Sequence, residues 1–133
     1  MAKFVALDYK VTINGTDFSS SINSVDLSIE SAEVETTAFG STFTTRVGGL
    51  KSASITLDFH QDFAAVDAVL FPLLNTLATV VLVPTSGTVS ATNPSYTALC
   101  LVNQYQPFAS AVGDLATLSV TWPTSGTVTR GTV

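Results

Sequence analysis

Charge is scarce in this sequence. Only 11% of its 133 residues are Asp, Glu, Lys or Arg and 46% are hydrophobic, whereas an ordinary soluble domain carries roughly 25% charged residues. Thr and Ser fill the difference. A surface of neutral hydroxyls suits a subunit whose outside is covered by other subunits, because charge is depleted at the centre of such interfaces. Ordinary β-rich domains also favour Thr and Val. Bases are scarcer than acids, five against ten for a net charge of -5. No Lys or Arg lies between Lys51 and Arg130, an interval that holds Asp58, Asp62, Asp67 and Asp114. That balance argues against a surface built to dock nucleic-acid phosphates.

Cysteine and histidine are each present once, as Cys100 and His60. No disulfide can form within the chain, and Cys100, inside "ALCLVN", reads as a small apolar residue of a buried strand. No "GxSxG" nucleophile elbow marks one serine among the many. The "GG" at 48 and 49 is too short to cradle a phosphate. In "DFHQD", Asp58, His60 and Asp62 would share a face if a strand ran that far, and two carboxylates with one imidazole can hold a divalent metal. The run sits where strand gives way to helix, however, and Asp62 is more economically a helix cap. No catalytic residue, metal or cofactor is expected.

Long hydrophobic runs are also few. The N-terminal "MAKFVALDYK" is too short in apolar residues for a secretory signal, so folding in a cytoplasm is expected. Residues 63–83, "FAAVDAVLFPLLNTLATVVLV", are long enough to raise the membrane question. Asp67, Pro72 and Asn75 interrupt them and no basic cluster flanks them, so a helix followed by a buried strand is expected, with no membrane partner.

Strand signals dominate what remains. "YKVTI" runs into Asn14-Gly15, the pair that best tolerates the positive φ angles of a tight hairpin. In "VDLSIES", Val25, Leu27 and Ile29 alternate with Asp26, Ser28 and Glu30, which places an apolar trio on one face and the acids on the other. "KSASITLDF" alternates in the same way, with Ala53, Ile55, Leu57 and Phe59 on its apolar face. Between these two, residues 31–49 read as a long loop of small and polar residues carrying two isolated aromatics, Phe39 and Phe43. Loops of that length are usually functional or disordered. One helix is expected in "AAVDAVLFPLLNTL", from Val66, Val69, Leu70, Leu73, Leu74 and Leu77 at helical spacing. Pro72 lies too deep for its first turn unless the helix starts late or kinks. Strands follow at 79–83, 96–105 and 115–122, separated by turn signals.

One hexapeptide, "PTSGTV", occurs at 84–89 and again at 123–128. Both copies begin where an apolar strand stops, and proline cannot donate to a strand ladder. "LAT" precedes each copy, but the spacing to proline differs by one residue, which would turn the strand faces over and counts against a duplication. The first copy is expected to be a connecting turn. The second is expected to start a C-terminal arm, at about 124–133, that contacts a neighbouring subunit through Arg130. The sum is one mainly β domain over residues 1–133, a β-sandwich or open β-barrel with one flanking α-helix.

The order of these elements resembles the tail tube (major tail) proteins of long-tailed bacteriophages. The stretches that carry the resemblance are "RVGGLKSASITLDFHQDF" at 46–63 and "GDLATLSVTWPTSGTVTRG" at 113–131. The resemblance implies a β-sandwich subunit, hexameric rings stacked into a tube, and a lumen through which DNA passes without specific binding. It implies a place in the virion tail, with tape measure, terminator and baseplate or tip proteins as partners. On that reading Asp26, Glu30 and Asp58 are the candidate lumen-lining acids. Phe39 and Phe43 are candidate anchors on a neighbouring ring, and Glu33, Glu35, Arg46 and Lys51 are candidate inter-subunit ion pairs. The alternatives are a β-sandwich surface binding module, or another phage part such as a capsid decoration or tail terminator protein.

Overall fold

Asn14 and Gly15 adopt φ of 49° and 86° and close strand β1 (Lys10–Ile13) onto β2 (Thr16–Asp17), with Ile13 opposite Thr16. This is the hairpin that an Asn-Gly pair favours, because both central residues need positive φ. The computed structural model describes residues 3–133. The remaining elements are β3 (Ile22–Glu35), β4 (Arg46–His60), α1 (Val66–Leu73), β5 (Leu77–Val83), β6 (Ser95–Leu101), β7 (Thr117–Pro123) and β8 (Thr129–Gly131). They form two antiparallel sheets, one in the order β2-β1-β5-β6-β8 and the other β3-β4-β7. Neither sheet closes into a barrel.

The two sheets share one core. Val11 and Ile13 of β1, Val80 of β5 and Cys100 of β6 meet Ile55, Leu57 and Phe59 of β4 and Val120 and Trp122 of β7, all buried. The period-two alternation of β4, β5, β6 and β7 supplies this layer directly. Each large side chain so buried contributes roughly 1.5–3 kcal/mol. The Trp122 indole Nε1 donates to the Gln104 carbonyl at 2.9 Å, so its polar atom is satisfied inside the core.

Helix α1 follows β4 and buries Val66 and Leu70. Asp62 caps the turn that leads into it, accepting from the Ala64 and Ala65 amides at 2.9 and 3.3 Å. Pro72 lacks the N–H that would bond back to the Ala68 carbonyl, and the helix ends one residue later, at Leu73. Asn75, at φ 66°, supplies the left-handed residue that stops a helix, and β5 starts two residues on.

Two expected boundaries are corrected. Residues 31–49 are not one long loop, since β3 runs to Glu35 and β4 begins at Arg46, leaving a connection of 36–45. The two strands pair through Val34 and Val47, with a register shift between Ser31 and Glu33. The "GG" lies at this bulge. A Cβ at Gly49 would sit 3.2 Å from the Ala32 Cβ and 3.3 Å from the Val34 Cγ2, so glycine permits the close approach. The C-terminal residues do not form a free arm, because β8 pairs with β6, Arg130 opposite Tyr96, within the same domain. Thr124 donates its amide to the Ala53 carbonyl at 3.0 Å and Ser125 donates its own to the Leu99 carbonyl at 2.7 Å. The second "PTSGTV" therefore carries the chain from one sheet to the other. The first connects β5 to β6, and Ser86 within it donates to Asp8 from both amide and hydroxyl.

Candidate assembly surfaces

Every residue from 28 to 52 is exposed. Among the described residues β3 and β4 pair only with each other in this region, because β7 reaches along β4 no further than Ser54. The result is a two-stranded ribbon standing off the sandwich. Ile29, Val34 and Val47 are the β-branched residues of its strands, and its exposure comes from the lack of any layer to pack on. Ile29, Val34, Val47 and Leu50 are exposed along it, and Phe39 and Phe43 at its tip. A two-stranded ribbon with no packed face is marginal in water, and this one spends apolar side chains on solvent.

Threonine hydroxyls tie the tip together. Thr36 and Thr45 share a 2.8 Å hydroxyl contact, the Thr45 amide donates to the Thr37 hydroxyl at 2.9 Å, and Gly40 turns the chain at φ 91°. Of the residues expected to pair between subunits, Arg46 meets Glu33 within the ribbon through its Nε. Glu35 stands opposite Arg46, and Lys51 opposite Ser31.

The three acids expected to line a lumen fall on one surface. In the β3-β4-β7 register, Asp26 faces Thr56, Glu30 faces Ser52, and Asp58 lies between Ser24 and Ser119. All belong to the strand parity opposite the core residues Ile55, Leu57 and Phe59, so they share the outer face of this sheet. Ser28, Ser54 and Thr121 add hydroxyls to that face, and Thr56 and Thr121 touch at 3.1 Å. No Lys or Arg stands among these cross-strand partners.

Around "DFHQD" the strand does run to His60, so Asp58 and His60 share a face. Asp62 turns away to cap the helix entry. Among the described residues no three His, Cys, Asp or Glu side chains gather as metal ligands. The Cys100 thiol is buried, and that burial pushes its pKa up to about 11, which leaves it protonated and unreactive at neutral pH. Among the described residues no helix is long and apolar enough to cross a membrane.

Sequence reasoning missed one surface feature. Phe63 and Phe108, 52% and 81% exposed, stand together with ring centroids 5.4 Å apart and an interplanar angle of 37°. They lie at the His60 end of β4, opposite the ribbon tip. Gln61 Nε2 donates to the Pro107 carbonyl at 2.9 Å, and the Tyr105 hydroxyl donates to Asp67 Oδ1 at 2.6 Å. These bonds hold the segment carrying Phe108 against the segment carrying Phe63. Burial first, and then the bond to Asp67, raises the Tyr105 pKa, so the phenol remains a donor. The only local signal was an aromatic just after Pro107 in a stretch without strand period.

No protein-family profile and no curated protein sequence matches the chain. Solved structures do. A chain of the virion of a native gene transfer agent (GTA) particle is similar with a TM-score of 0.75 and 14% identity, over 92% of this chain and 95% of that one. A chain of the tail of an empty GTA particle, refined helically with C6 symmetry, gives 0.69 and 14% identity over 93% and 94%. A chain of the six-fold symmetrised baseplate of the anti-feeding prophage gives 0.52 and 14% identity over 98% and 97%. The overall fold of this chain is therefore similar to that of chains of GTA particles and of a prophage baseplate.

Proposed function

We propose that this chain is a structural subunit of a virion tail that polymerises as stacked hexameric rings into the tail tube, the conduit for DNA ejection. The observation that carries the reading is the ribbon of residues 28–52, exposed on every residue and tipped by Phe39 and Phe43. An isolated domain gains nothing by holding such a ribbon in water, whereas a neighbouring copy would bury it. The free edge of β3 supports the same conclusion, since among the described residues β4 is its only partner. An unpaired edge of 14 residues is an aggregation liability that ring closure removes.

The acid and hydroxyl face fits a lumen. Six copies at -5 carry roughly -30 per ring, and about 18 of the carboxylates would be Asp26, Glu30 and Asp58 on the inner wall. A wall of that sign repels phosphate, so DNA can pass without being held. The tape measure, terminator and baseplate or tip proteins are the partners this role requires, and no catalysis is needed for it. Electron microscopy of the purified protein across a concentration series tests the reading. Six-fold rings and hollow tubes are expected, and a protein that stays monomeric under all conditions would refute it, while deletion of 36–45 that leaves tubes unchanged would refute the role given to the ribbon.

A further inference from the structure

The two exposed aromatic patches stand at opposite ends of one sheet. β4 runs from Arg46, next to the tip, to His60, next to the helix entry. Its 15 residues span about 50 Å at the rise of an extended strand. Beyond His60, Gln61 bonds the 105–107 segment, which brings Phe108 onto Phe63. The tip thus offers Phe39 and Phe43 at one end, and a braced platform of Phe63 and Phe108 lies at the other.

We propose that the 36–45 tip of one copy docks through Phe39 and Phe43 on the Phe63–Phe108 platform of a second copy of this chain in the next ring. This rests on the ring-stacking reading and adds the receiving surface, which the ribbon alone does not identify. The occupant is a second copy for two reasons. Patches at opposite ends of a subunit make a heterologous contact that repeats without closing, which is the geometry of a filament. Finally, Val112 and Leu115 are exposed in the segment after Phe108, so the platform continues as apolar surface instead of ending in a polar rim.

The buried Cys100 makes a clean test possible, because it is the one native thiol and no side chain at 0% exposure competes for an oxidant. Ser41→Cys with Ala109→Cys places accessible thiols beside the two patches and leaves all four phenylalanines in place. Ser41→Cys with Thr88→Cys, in the β5–β6 connection, is the control. Under mild oxidation of assembled tubes the first pair is expected to give a ladder of covalent multimers and the control to give none. Tubes without a ladder, or equal ladders in both, would overturn the docking site while leaving the tube reading intact. Wild-type protein that forms no tubes would refute that reading and the site with it. As a second measure, Phe63→Ser with Phe108→Ser is expected to keep the native melting temperature and to stop at single rings. Tubes of normal length from that variant would refute the proposal.

Discussion

Replacing Phe39 and Phe43 together by serine should separate assembly from folding. Phe39 and Phe43 are 109% and 84% exposed, so in the isolated subunit they touch almost nothing. Their loss should change stability by no more than about 0.5 kcal/mol. In the proposed tube both rings would be covered, and burying a phenylalanine contributes roughly 1.5–3 kcal/mol. The pair then supplies about 3–6 kcal/mol per copy, which raises the concentration at which tubes form by about 10²–10⁴-fold. The contrast is Phe59→Ala. Phe59 is 0% exposed and meets Phe18 edge to face at 6.0 Å, and its truncation should cost about 3–5 kcal/mol of folding stability. Thermal melting by circular dichroism reads the first quantity, and sedimentation of polymer across a concentration series reads the second. A Phe39→Ser/Phe43→Ser protein that polymerises at the wild-type threshold would refute the argument. So would one whose melting temperature falls as far as that of Phe59→Ala.

Converting Asp26, Glu30 and Asp58 to lysine should leave a folded, assembling subunit whose tubes retain duplex DNA. With 6–10 phosphates contacted, that retention should weaken about 10³–10⁵-fold between about 50 and 200 mM salt, and DNA retention indistinguishable from wild type would remove these residues from the lumen. Asn75→Ala places a Cβ-bearing residue without a local polar side chain at φ 66°, and urea denaturation should show a loss of about 1 kcal/mol, with Asn75→Gly close to neutral. The Ser86 hydroxyl, and then its amide, hold the Asp8 carboxyl below its ordinary value of 3.8. A folded pKa below the unfolded one means that the Asp8–Ser86 clamp contributes fully above pH 3.8 and is lost as pH falls through the folded value. Hydrogen exchange at the Ser86 amide should accelerate over that acid range, and a rate ratio to neighbouring amides that stays flat would refute the clamp.

The parts of the fold that were legible in the sequence share one property, a burial difference between neighbouring residues. β4 from Ala53 to Phe59 alternates because one face is core and the other is not. Helix α1 shows its spacing because Val66 and Leu70 face inward while Ala68 does not. Asn14-Gly15 announced its own turn. The ribbon from 31 to 35 and from 46 to 49 was illegible for the same reason, since both of its faces are exposed. With no buried side, selection leaves no period-two pattern, and the Gly48-Gly49 bulge reads as a loop signal. β6 and β7 were recognised but misbounded. Val102 leaves the ladder after β6, and Gln104 then turns its side-chain carbonyl to the Thr121 amide at 3.0 Å.

Composition and strand alternation were enough to establish a mainly β domain with little charge, an acid surplus and a helix between two groups of strands. They were also enough to put Asp26 and Glu30 on one side of their strand, because side-chain direction in a strand alternates whatever surrounds it. Which residues meet across strands follows from register, a property of pairs distant in the chain. Register brought Asp58 to the face of Asp26 and Glu30, and tied Arg46 to Glu33 inside its own ribbon. It also folded the second "PTSGTV" back onto β6 when the chain order alone suggested a free end. The Phe63–Phe108 platform is the furthest from the sequence, since its two rings are separated by a helix and two strands, and only the packing of the 103–108 segment against the helix entry brings them into contact.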